Sequence, residues 1–111
     1  MPQTETPRRV LVVGGSDSRR AMDVARALPD DGMMICLEGD RAAAARAVEA
    51  FARGGLGVRV SVMIGDPSLF IRKVAGPFDV IIVDGAERLA RLGQQLRAKL
   101  APGGTLTTQE P

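Results

Sequence analysis

Four segments of the chain combine glycine or serine with a carboxylate where an apolar run ends: Gly14–Ser18 (GGSDS), Glu38, Asp66 and Asp84. A glycine bend lets a ligand approach the backbone, and the N–H groups of the helix behind it favour an anion. A carboxylate placed like Glu38 can accept both hydroxyls of a ribose. Asp66 can accept a hydrogen bond from an adenine amino group, and Asp84 can ligate a cation or act as a general base.

Each of these segments also has a purely structural interpretation. The GGSDS segment is neither the GxGxxG fingerprint nor the GxxxxGK[ST] phosphate loop, and it fits a tight turn from strand to helix. Glu38 and Asp84 fit solvated loop acids, and Asp66 before Pro67 fits the cap of a short helix. Taken one at a time, the segments leave both interpretations open.

The residue types that are absent exclude several classes of function. The 111 residues suffice for one domain, and they include no His, Trp or Tyr and a single cysteine, Cys36. Catalysis by Ser–His–Asp or Cys–His groups and imidazole zinc sites are therefore excluded. Three phenylalanines and a net charge of +2 argue against a nucleic-acid partner. We expect no membrane span and no secretory signal, and the lone cysteine fits a cytoplasmic protein.

Short apolar runs alternate with amphipathic ones along the chain. After a polar tail at 1–8, the sequence predicts a single domain at 9–111. Its predicted strands are 9–13, 33–37, 58–64, 78–83 and 105–108. Between them we predict a helix from Ser16–Ser18 to before Pro29, one from Asp40 to Gly54, one at 67–73 and one at 86–100.

This alternation predicts an α/β fold with a parallel sheet between two layers of helices. Strands one, two and four are continuously apolar and suit the interior of the sheet, whereas three and five alternate and suit its edges. The order 3-2-1-4-5 satisfies this pattern, and the flavodoxin-like order 2-1-3-4-5 is the second choice. In the preferred order the connections diverge between strands one and four, which brings the four segments together at one end of the sheet.

Taken together, the motifs VLVVGGSDS, LEGD, VMIGDP, PFDVIIVDGAE and LAPGGTL resemble those of the class I S-adenosylmethionine (SAM)-dependent methyltransferases. The similarity is greatest to the small O-methyltransferase branch that includes the catechol and caffeoyl-CoA enzymes. The resemblance implies a three-layer Rossmann-like fold, SAM as cofactor and a small-molecule acceptor, with Asp84 as the catalytic residue. The cofactor-binding residues that it implies are Gly14, Gly15, Ser16, Ser18, Glu38, Gly39, Asp66, Pro67, Ser68 and Asp84.

Within that resemblance, Gly14 would lie beside the methionine part of SAM and Glu38 would hold the ribose. Asp66 would face the adenine amino group, with Pro67 and Ser68 beside the ring. Asp84 matches the first metal-binding aspartate of the cation-dependent members.

The chain departs from the family pattern at several positions. Val12 replaces an acid, Ser16 and Ser18 replace glycines, and Gln109-Glu110 replaces the Asp-Asn pair of the metal-dependent members. One ligand is left for a divalent cation, so no metal site is predicted. From the sequence we also expect the strands six and seven of the family to be missing.

These departures favour an alternative function, a non-catalytic interaction or dimerisation module. Because strand five would then be an open edge, we expect a homodimer through that edge or through the 86–100 helix. A receiver-like domain is set aside, since it needs paired acids after strand one.

Overall fold

The structure, a computed structural model, describes residues 6–109 and contains a five-stranded parallel sheet in the order β3-β2-β1-β4-β5. This confirms the predicted order 3-2-1-4-5, and the flavodoxin-like alternative is wrong. The strands are β1 Arg9–Val13, β2 Met33–Glu38, β3 Val60–Ile64, β4 Phe78–Asp84 and β5 Leu100–Gln109. The helices are α1 Arg19–Arg26, α2 Arg41–Arg53, α3 Pro67–Phe70 and α4 Ala86–Arg97.

The central strand β1 separates two apolar cores. Its residues from Val10 to Val13 are fully buried, and successive side chains point to opposite faces of the sheet. Val10 and Val12 pack in the cluster that includes buried residues of α1 and α2, such as Ala25 and Phe51. Leu11 and Val13 pack in the cluster that includes Leu92 and Leu96 of α4. The predicted three-layer arrangement follows from this alternation.

Side-chain caps position the two helices that follow β1 and β2. Ser18 caps α1 by accepting a hydrogen bond from the Ala21 N–H, and Asp40 caps α2 through the Ala42 N–H. Gly54 ends α2. Both helix starts and the glycine stop agree with the sequence prediction, because short polar side chains satisfy the open N–H groups of a first helical turn.

Several predicted element boundaries are wrong. Helix α3 ends at Phe70 instead of 73, and β3 begins at Val60, since Val58 is exposed before the strand. Helix α4 ends at Arg97 instead of 100, and β5 begins at Leu100 instead of 105. Leu100 pairs with Phe78 in β5, although its spacing from Leu96 suited a helix. Leu100 packs against the same cluster as Leu96, so apolar periodicity could not separate the last helical turn from the first strand residue.

Candidate functional site

The turn after β1 requires glycine at two consecutive positions. Gly14 and Gly15 have φ values of 77° and 61°, a region that other residues rarely adopt. A Cβ on Gly14 would lie 2.9 Å from Asp84 Cβ, and one on Gly15 would lie 2.5 Å from Gln109 Nε2. The bend therefore passes directly over the ends of β4 and β5. The predicted proximity of the glycine bend and Asp84 is present.

Glu38 at the end of β2 faces the same bend. The residue is only 5% exposed. Its Oε1 accepts hydrogen bonds from the Ser16 N–H at 3.0 Å and from the Ser16 hydroxyl at 2.7 Å, and its Oε2 accepts one from the Asp40 N–H at 3.1 Å. The carboxylate thus joins the glycine loop to the start of α2.

Asp66 at the end of β3 caps α3. Its Oδ1 accepts hydrogen bonds from the Ser68 N–H at 3.0 Å and from the Ser68 hydroxyl at 2.8 Å. These bonds from Ser68, with weaker contributions from Arg91 and Arg88, lower the pKa of the Asp66 carboxyl. Because both bonds from Ser68 reach Oδ1, the Oδ2 atom is the oxygen that can accept a hydrogen bond from a ligand.

The LEGD and GDP loops lie side by side above β2 and β3. The Gly65 N–H donates to the Glu38 carbonyl at 2.9 Å. A Cβ on Gly39 would lie 3.5 Å from the Gly65 carbonyl oxygen and 3.6 Å from Pro67 Cδ. Gly39 therefore keeps the two loops close.

A cavity of about 420 Å³ lies at this end of the sheet. Four of the predicted site residues line it, namely Gly15, Glu38, Gly39 and Asp84. Ser16 and Ser18 instead line a second cavity of about 360 Å³ between α1 and α2. Gly14 lies under the first cavity against Asp84. Asp66, Pro67 and Ser68 lie outside the walls of both cavities, next to Gly39.

Sequence reasoning did not assign Arg88 or Gln109 to the site. Arg88 in the first turn of α4 lines the larger cavity, and its Cζ lies 3.4 Å from the position of a Gly14 Cβ. Gln109 is 8% exposed, and its amide nitrogen lies 3.4 Å from the Gly15 carbonyl oxygen. The Ser18 hydroxyl donates to Gln109 Oε1 at 3.2 Å. The predicted topology places both residues at the correct end of the sheet, and only this feature of the sequence could have identified them as site residues.

Among residues 6–109, no group of three or more His, Cys, Asp or Glu side chains is arranged to hold a metal ion. In the same part of the chain, none of the helices has the length and apolarity needed to cross a membrane.

No protein-family model matches the chain. Curated relatives include spermidine synthase 1 of Hyoscyamus niger, 34% identical over 116 residues, and spermidine synthase of Dictyostelium discoideum, 30% identical over 115 residues. The alignments cover 93% and 94% of this chain but 36% and 40% of those proteins. The chain thus spans well under half the length of these relatives.

Solved structures of methyltransferases have a similar fold. The O-methyltransferase TomG of Streptomyces achromogenes, in complex with SAM, matches with a TM-score of 0.84 at 24% identity over 93% of this chain and 48% of its own. The SAH-bound methyltransferase PaMTH1 of Podospora anserina matches with a TM-score of 0.80 at 25% identity over 91% of this chain and 45% of its own. The chain spans about half of each. The sequence resemblance is therefore confirmed, and this chain has the Rossmann-like fold of the class I SAM-dependent methyltransferases.

Proposed function

We propose that the chain binds SAM in the cavity between the glycine bend and α2, as part of a methyltransferase that acts on a small-molecule acceptor. The observation that supports this most directly is the convergence of Gly15, Glu38 and Asp84 on one cavity at the divergence of the β1 and β4 connections. Its volume of about 420 Å³ lies within the usual range of small-molecule sites.

The residues present suit an adenosine ligand with a charged tail. Glu38 Oε2 accepts a hydrogen bond from the Asp40 N–H and can accept another from a ribose hydroxyl. Gly39 lines the cavity beside Glu38, so a flat ring can lie against its backbone. Asp66 Oδ2 provides an acceptor for an adenine amino group. When bound, SAM would supply the activated methyl group.

Asp84 is our candidate for the acceptor side of the reaction. It ends β4, is partly exposed and lines the cavity, with its Oδ2 3.3 Å from the position of a Gly14 Cβ. A carboxylate there can accept the proton of an acceptor hydroxyl and fix the orientation of that hydroxyl. Such orientation would supply most of the rate enhancement of the transfer. On this basis we propose the O-methyltransferase type.

A second candidate function is transfer of an aminopropyl group, because the curated relatives are spermidine synthases. Both functions use the same cavity and differ in the group that is transferred. A third, the non-catalytic module, is favoured by Ser16 and Gln109, whose side chains occupy the acceptor atoms of Glu38 and the space beside Gly15.

Calorimetric titration of the chain with SAM and with its demethylated product SAH tests the proposal. We expect micromolar binding of both, weakened at least about tenfold by Glu38→Gln, because a hydrogen bond to a charged acceptor contributes about 1.5–3 kcal/mol. Glu49→Gln, which changes an exposed acid on α2, is the matched control and should bind as the unmodified chain does.

Thermal unfolding of each variant must first show a midpoint well above 25 °C, so that the titration is made on folded protein. Full affinity in a folded Glu38→Gln variant would contradict the ribose assignment. No heat at millimolar SAM would contradict donor binding and leave the interaction module.

A further inference from the structure

Arg88 brings a guanidinium group with an unpaired nitrogen to the cavity in which we propose that SAM, the methyl donor, binds. The residue lies in the first turn of α4 and lines the cavity together with Gly15 and Asp84. Its guanidinium carbon lies 3.4 Å from the position of a Gly14 Cβ, so the group is in contact range of the glycine bend. Its Nε is buried and has no hydrogen-bond partner among residues 6–109.

Such an arrangement is unusual for a guanidinium group, because buried donors are nearly always hydrogen-bonded. The other arginine of the cavity, Arg46, is exposed and yet has a partner: its Nε and one terminal nitrogen each lie 2.9 Å from Asp17 Oδ2. Asp84 lies close to Gly14 on the same side as Arg88, yet within the described part of the chain no ion pair joins it to Arg88. Arg88 therefore retains donors for another group.

The position of Arg88 in its helix points the same way. A cation in the first turn of a helix opposes the helix dipole, which favours anions there. A bound anion would remove this penalty and could pair with the terminal nitrogens of Arg88, for which the described part of the chain shows no hydrogen bond. Planar carboxylates accept two parallel hydrogen bonds from a guanidinium group, in a geometry that its two terminal nitrogens match.

The acids around the cavity restrict which anion can bind. A phosphate with two negative charges would meet the carboxylates of Glu38 and Asp84 in the same space. A zwitterionic amino-acid group suits it better, because its carboxylate can pair with Arg88 while its cationic part faces Asp84.

We propose that Arg88 binds the carboxylate of the donor's amino-acid tail and thereby selects donors that retain this carboxylate. The proposal rests on the proposed donor site and adds its specificity. It also bears on the choice between the two proposed transfers. An aminopropyl group carries no carboxylate, so its donor would leave Arg88 unpaired, whereas a methyl donor keeps its amino-acid tail.

The test compares SAH with its decarboxylated analogue by calorimetric titration of the 111-residue chain. For the unmodified chain we expect SAH to bind about tenfold to a hundredfold more tightly, the usual range for a hydrogen bond to a charged group. In Arg88→Gln this preference should fall to about twofold or less through loss of SAH affinity alone. Arg91→Gln, one turn further along α4 and exposed, is the charge-matched control and should keep the preference.

Arg88→Lys separates charge from geometry. A lysine keeps the positive charge but not the paired donors, so we expect an intermediate preference. Thermal unfolding of each variant shows that it is folded. Equal affinity of the unmodified chain for the two ligands, or equal weakening of both by Arg88→Gln, would overturn the role of Arg88 while leaving the donor site. Binding of neither ligand at millimolar concentration would overturn both proposals.

Discussion

Ser16 lies directly against Glu38, and both of its donors reach one carboxylate oxygen. The hydroxyl lies 2.7 Å and the N–H 3.0 Å from Oε1. An ionised carboxylate offers about four acceptor positions, and the Asp40 N–H takes a third. One position then remains for a ribose, whereas accepting both of its hydroxyls needs two. The Ser16 hydroxyl must move away before a ribose can be held by both oxygens.

Replacing Ser16 by alanine should therefore strengthen donor binding. Ser16→Ala removes the hydroxyl but keeps the N–H, which frees one acceptor position on Glu38. We expect SAH to bind about fivefold more tightly, the equivalent of about 1 kcal/mol, and the ligand-free chain to lose about 1–2 kcal/mol of unfolding free energy. Calorimetry and urea unfolding measure the two effects. Weaker binding by a folded Ser16→Ala chain would show that Ser16 contacts the ligand instead of competing with it.

The sheet order and, to within one residue, the ends of β1, β2 and β4 could be predicted from the sequence. Buried parallel strands appear in it as continuous apolar runs, and the loops that follow such strands all lie at one end of the sheet. The convergence of Gly15, Glu38 and Asp84 follows from that topology alone. The occupation of Glu38 by Ser16 could not be predicted, because it depends on a side-chain torsion. The same holds for Arg88, since the helical pattern does not show which polar residue of a first turn leans over the glycine bend.

The two consecutive glycines should differ in their tolerance of a side chain. Both have positive φ, so alanine at either position incurs about 1–2 kcal/mol of backbone strain. A Cβ on Gly14 would meet the Cβ of Asp84, an atom fixed to β4, whereas a Cβ on Gly15 would meet the end of the longer Gln109 side chain. We expect Gly14→Ala to reduce the unfolding free energy more than Gly15→Ala, measured by urea unfolding.

A second substitution isolates the steric part of this difference. Gln109→Ala removes the atom that a Gly15 Cβ would meet, so it should partly restore Gly15→Ala and have no such effect on Gly14→Ala. Equal losses at the two glycines, unaffected by Gln109→Ala, would mean that backbone strain alone sets the cost.

The homodimer prediction concerns the β5 end of the sheet. β5 is the last strand in the described order, and Thr105 on it is exposed. The Arg20 side chain reaches the Thr108 carbonyl at 3.1 Å and covers part of this edge. We expect a monomer–dimer equilibrium in sedimentation at micromolar to millimolar concentration, shifted to monomer by Thr105→Lys because charges oppose edge pairing. Ser61→Lys on β3, the other end strand, is the control. A monomer at every concentration would contradict the prediction.

The Cys36 thiol gives a prediction for alkaline pH. Its side chain is fully buried in β2, and burial together with the negative charge of Glu38 raises its pKa from 9.0 to about 12. Below pH 9 the thiol is protonated in the folded and unfolded chains alike. Between about pH 9 and 12 the unfolded chain loses this proton and the folded chain keeps it, so the free energy of unfolding should fall as pH rises through that range.

Urea unfolding at a series of pH values measures this decline, and the absence of tyrosine from the chain removes phenol titration from the same range. Cys36→Ala should be less stable at neutral pH because a buried group is lost, but its stability should decline less above pH 9. Since only the thiolate is nucleophilic, the folded chain should also resist a thiol reagent at pH 8 and react with it once unfolded. Rapid reaction of the folded chain would show that Cys36 is accessible and that the core around β2 opens readily.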